Sequence, residues 1–162
     1  MNEVWVTNAS PMIALAKVGR LDLLTQLAGK LLLPDAVAQE ILAGPASDPA
    51  RQAIERGWGN RLAPASVAPE LLEWGLDAGE TAAIALAQER LPCTLLLDDQ
   101  AARTCAKALR VPILGTLGIV LRAKKCGLVP NAADVIRALR TAGLHLDDRV
   151  IRLALGHIGE TW

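Results

Sequence analysis

Four carboxylates, an amide and a hydroxyl are the side chains of this sequence best placed to do chemistry. Glu40, Glu80, Asp98 and Asp99 come from distant segments, and Asn8 and Ser10 stand in the stretch VWVTNASPMIALAK near the start. His145 and His157 fall late in the chain with no Cys or His partner nearby, and Cys93, Cys105 and Cys126 match no metal-ligand spacing. That pattern argues against zinc. Acids unaccompanied by nitrogen or sulfur ligands form an all-oxygen donor set, which selects Mg²⁺ or Mn²⁺. A hard divalent ion held this way orients a water and stabilises in-line displacement at a phosphodiester. Each acid also has an ordinary role open to it. Asp98 or Asp99 suits the N-cap of the next helix, Glu80 complements a helix dipole, and Glu40 reads equally as a surface glutamate.

These residues must be positioned by an alternation of short apolar runs and helical patterns, which argues for a parallel sheet covered by helices on both faces. A strand over Val4 to Thr7 runs into Ser10-Pro11, where Ser suits the N-cap and Pro the first helical position. That helix extends through Lys17, and a short one covers Leu21 to Leu27. Strands are expected at 31–33, 61–65, 94–97 and 111–114. Further helices are expected at 35–44, 48–56, 78–90, 99–109, 116–125, 131–142 and 147–157. In such a sheet, ligands bind at the carboxyl ends of the strands, where strand order reverses. Asn8-Ala9-Ser10 follows the first strand and Asp98-Asp99 the fourth, so both groups are expected there.

The 162 residues are 52% hydrophobic and 21% charged, the balance of one globular domain spanning 1–162. Net charge is zero but unevenly spread. Residues 1–99 hold 7 basic and 13 acidic side chains, and residues 100–162 hold 10 basic and 4 acidic. An acidic site beside a basic flank suits a metal-dependent site that handles a polyanion; a solvated basic face is the plainer reading. There is no Phe or Tyr, only four Trp. An aromatic platform for single-stranded nucleic acid is therefore not expected, and RNA contact should run through phosphate. No signal-peptide pattern opens the chain, and its longest near-apolar run, at 112–121, is too short for a bilayer. Together with the odd cysteine count, this points to reduced thiols in a cytoplasmic protein with no membrane contact, the cysteines serving as small core residues.

Several ordered blocks, VTNASPMIALAKVGRLDLL, LLLPDAVAQEIL, GLDAGETAAIALA, LLLDDQAARTCAKALRVPILGTLGIVLRAKKCGLVP and GLHLDDRVI, resemble the PIN-domain superfamily. The likeness is to a prokaryotic branch of compact nucleases related to toxin–antitoxin ribonucleases. It implies a three-layer α/β/α fold with a central parallel sheet of about four to five strands. It also implies Mg²⁺- or Mn²⁺-dependent cleavage of RNA at a cluster of acids. Further implications are a small antitoxin protein as partner and a homodimer. Carried over block by block, the first acid falls at Asn8, the second at Glu40, the third at Glu80, and the last at Asp98 and Asp99. Ser10 matches a hydroxyl residue found just after the first acid.

Two departures stand out. The branch reads Asp-x-Ser at the first block, where this chain has Asn8-Ala9-Ser10. The third block usually carries two glutamates two residues apart, and Ala82 stands at the second; if that one is the ligand, Glu80 is a helix cap. An amide oxygen can coordinate a cation but brings no charge and cannot act as a base. Three explanations stand side by side: an inactive relative kept for binding, an original Asp changed to disarm a toxic nuclease, or a slow enzyme in which the remaining acids hold one metal ion. The competing reading of the whole is a catalytically inactive module that binds nucleic acid or an antitoxin. A nucleotide-binding Rossmann-like domain is weaker, because no glycine-rich phosphate fingerprint follows any strand.

Overall fold

The computed structural model describes residues 3–162. Strands β1 (Val4–Thr7), β2 (Lys30–Pro34), β3 (Asn60–Leu62), β4 (Thr94–Leu96) and β5 (Ile113–Leu114) pair throughout in parallel, in the order β3-β2-β1-β4-β5. The chain enters at the centre, builds outward through β2 and β3, then returns across β1 to build β4 and β5. Strand order therefore reverses between β1 and β4, and this is the crevice where a parallel sheet offers its ligand site. The expected three-layer α/β/α architecture with a parallel sheet is what forms.

Alternating side chains feed two cores. Val6 pairs in register with Leu32 and Leu95, and all three face one apolar cluster; Trp5 and Leu96 face the other. The first cluster packs α3 (Asp35–Leu42), α4 (Pro49–Glu55), α6 (Ala78–Glu89) and α7 (Gln100–Ala108) on the sheet. The second takes α2 (Asp22–Leu27), α8 (Thr116–Lys125), α9 (Ala132–Thr141) and α10 (Asp148–Gly156). The first helix, α1 (Ala9–Lys17), gives Met12 to one cluster and Leu15 to the other. The alanines of α6 combine high helix propensity with small volume, so that helix is buried over Ala82 to Ala87.

Several boundaries differ from the sequence expectation. Ser10 does not cap α1: Asn8 occupies the N-cap, and Ser10 and Pro11 lie within the first turn. There Pro11 still lacks only an N–H that has no helical partner. The strands expected at 61–65, 94–97 and 111–114 are shorter, at Asn60–Leu62, Thr94–Leu96 and Ile113–Leu114; the first stops before Pro64, which has no N–H to give the ladder. A four-residue helix, α5 (Pro69–Leu72), was not expected, being too short for periodicity to register. Cys93 and Cys105 are buried as expected of core residues, but Cys126 is exposed at the end of α8.

Candidate functional site

Asn8 ends β1 at the reversal point. Its backbone N–H donates to Leu96 O of the neighbouring strand at 3.0 Å, and Thr7 Oγ1 donates to Asn8 O at 2.9 Å. The residue is only 5% exposed, makes no side-chain cap to α1, and its Oδ1 is buried without a hydrogen-bond partner. An unpaired buried oxygen costs free energy, of order 1–3 kcal/mol, unless something fills the position. Two residues on, Ser10 Oγ donates to Asp98 Oδ2 at 3.4 Å, a long contact that links the ends of β1 and β4.

Asp98 is fixed by the start of α8. Thr116 N donates to its Oδ1 at 2.8 Å and Thr116 Oγ1 to its Oδ2 at 2.6 Å. Gly115 makes this approach possible: a Cβ there would lie 3.0 Å from Asp98 Oδ1 and 2.8 Å from Arg103 Nη1. Asp99 takes the capping role that the sequence left open, accepting from Ala102 N at 3.0 Å at the N-cap of α7.

The third acidic group is a pair. Asp77 caps α6 by accepting from Glu80 N at 2.7 Å, which draws the two carboxylates together. Withdrawal from water, then the charges of Asp77 and Asp99, push the Glu80 carboxyl up to about 7. Glu40, on α3, is held above its ordinary value first by loss of water and then by the charge of Asp77. Its Oε2 lies over the first turn of α6, only 2.5 Å from where a Cβ on Gly79 would stand.

All six sequence candidates, Asn8, Ser10, Glu40, Glu80, Asp98 and Asp99, line one open cleft of about 440 Å³. Sequence reasoning missed two residues there. Asp77 was legible, because an acid three positions before Glu80 at a helix start is a capping pattern. His145 was not, since it arrives through the loop after α9. Gly143, at φ +108°, ends that helix, with Leu144 N donating to Leu139 O and Gly143 N to Arg140 O, both at 3.0 Å. This Schellman turn needs the left-handed conformation that glycine supplies, and it returns Leu144 and His145 to the cleft wall.

Among the described residues, the cleft is lined by five carboxylates and no lysine or arginine. Its donors suit a hard cation in kind, and the orphaned Asn8 oxygen and the raised Glu80 carboxyl both mark a place short of positive charge. In arrangement the fit is looser. Among the described residues, no three His, Cys, Asp or Glu side chains are drawn together as a ready metal cluster. Asp77, Asp98 and Asp99 each already hold a helix start. A cation would therefore draw in Glu40 and Glu80, the acids whose carboxylates cap nothing.

A protein-family model described as PIN domain matches residues 4–160. No curated protein matches the chain. Among the described residues, no helix is long and apolar enough to cross a membrane.

Proposed function

We propose, on the premise that this chain belongs to the PIN-domain family, whose fold is that of a nuclease, that it is a divalent-metal-dependent endoribonuclease. Glu40, Glu80, Asp98 and Asp99 would hold Mg²⁺ or Mn²⁺, with Asn8 and Ser10 orienting the water. The observation that carries this reading is the gathering of five carboxylates in one cleft with, among the described residues, no lysine or arginine lining it, a crowding that also pushes the Glu80 carboxyl up to about 7. Such crowding is costly unless a cation relieves it. The bound ion would supply Lewis acidity and an activated water.

This chain's own groups do the rest. Thr116 fixes the Asp98 carboxylate through both oxygens, so that this acid enters in one orientation. Ser10 Oγ bridges to Asp98 and offers a hydroxyl at the mouth of β1. Asn8 presents a neutral oxygen, so the site carries one negative charge fewer than an aspartate would give it and should bind its ion more weakly. Without a cation the Glu80 carboxyl is pushed up to about 7, so an ion binding there displaces a proton.

In the fuller reading the chain is a single domain, the toxin-type partner of a small antitoxin protein, acting as a homodimer in the cytoplasm. A second reading, a catalytically inactive module that binds RNA or an antitoxin, is favoured by the amide at Asn8. RNA cleavage with Mn²⁺ for this chain beside Asn8→Asp separates the two. Cleavage by either protein supports the enzyme, and none by both sinks it.

A further inference from the structure

A second pocket, of about 620 Å³, opens directly beside the acidic cleft and shares Asp98, Leu144 and His145 with it. Its character is different. Leu117 and Leu121, one turn apart on α8, line it together with Leu144 and Val150, and Asp147 adds a second carboxylate to Asp98. Gln100, Arg103 and His145 stand among them as donors. Arg103 is anchored, since its Nη1 donates to Leu97 O at 3.0 Å, and it is the one Lys or Arg among the described residues lining either pocket. The volume falls within the about 300–1,000 Å³ of ordinary small-molecule sites, and an apolar slot with a few directed polar groups is their usual construction.

We propose that this pocket receives one nucleobase of single-stranded RNA, from the nucleotide flanking the phosphate held at the acidic cleft. The inference rests on the ribonuclease reading above and adds a base subsite to it. A strand whose phosphate sits among the acids and which runs on past the shared wall meets a lining in which aliphatic side chains outnumber the two carboxylates, Asp98 and Asp147. A phosphate gains nothing from Leu117, Leu121 and Val150, whereas a base face buries apolar surface against them. Arg103 then faces the adjoining backbone. Duplex RNA keeps its bases stacked and cannot offer one, so the subsite selects unpaired strands. Lacking Phe and Tyr, the chain holds the base against aliphatic side chains, and its RNA contact is not by phosphate alone.

The test is anisotropy with a short labelled oligoribonucleotide and a set of the same strand carrying one abasic ribose at successive positions. Binding is read with Mn²⁺, and probe integrity is checked on a gel. The full chain should lose at least about fivefold in affinity at one abasic position, beyond the loss at the others. Val150→Gln, at a residue 49% exposed and so tolerant of change, should flatten that profile. Leu153→Gln, on the same helix but off the pocket, should leave it intact. A flat profile for the unaltered chain, or a profile that Val150→Gln does not change, overturns the subsite while leaving the nuclease reading standing. Failure to bind any of the strands overturns both.

Discussion

The Glu40 carboxylate occupies the space that a side chain on Gly79 would need: a Cβ there would come within 2.5 Å of Glu40 Oε2. The glycine thus sets how far the acid of α3 reaches across the start of α6. Alanine is the better helix former by about 1 kcal/mol, and the clashing atom is the free end of a flexible side chain. Gly79→Ala is therefore expected to leave thermal stability within about 1 kcal/mol while pushing Glu40 out of the cleft. Titration calorimetry with Mn²⁺ should register weaker binding, and unchanged binding would remove Glu40 from the ligand set.

Glu80 makes the cleft sensitive to pH. Its folded-state pKa, about 7, lies above the ordinary 4.5, so between those values the folded chain holds a proton that the unfolded chain has released. Stability from this group is fully present below about 4.5 and is lost as pH rises through about 7. Cation binding runs the other way, because the ion must displace that proton, and Mn²⁺ affinity should rise across the same window. Thermal melts in EDTA and Mn²⁺ titrations at matched pH values check both slopes. Asp77→Asn, which keeps a capping oxygen but removes a charge, should shift both windows to lower pH.

Much of this was legible in the sequence because its signals are local. Strand runs, the Ala-rich helix and the acids after β1 and β4 are read within a few residues, whereas the reversal between β1 and β4 is fixed only by the strand order of the sheet. What was not legible depends on close approach between distant segments. Thr116 is an unremarkable threonine until Gly115 lets Asp98 settle on it. His145 reaches the cleft only through the turn at Gly143. Asp99 could be read as ligand or cap, and the bond from Ala102 N identifies the cap without excluding the other role.

The Thr116–Asp98 pair should be measurable by itself. Thr116 is fully buried and gives both a backbone and a hydroxyl hydrogen bond to one carboxylate. Thr116→Val preserves shape and the backbone donor but removes the hydroxyl. A hydrogen bond to a charged group contributes about 1.5–3 kcal/mol, so urea unfolding should show a loss of that order. Thr116→Ser, which restores the hydroxyl, should recover most of it. A valine variant as stable as the parent would mean that the hydroxyl does not hold Asp98 in solution.

Asn8→Asp addresses the amide directly, and its consequences divide by condition. Without a cation, the substitution adds a carboxylate to a position only 5% exposed, beside Asp98 and with no hydrogen-bond donor on the existing oxygen. The chain in EDTA should then lose stability, by about 1–3 kcal/mol or more, or take up a proton. With Mn²⁺ the new charge becomes a ligand, so affinity should rise and the melting temperature recover by more than in the parent. An ordinary buried polar position would show the loss without the recovery. Destabilisation that Mn²⁺ reverses is therefore the signature of a metal-binding position, and it can be read whether or not either protein cleaves RNA.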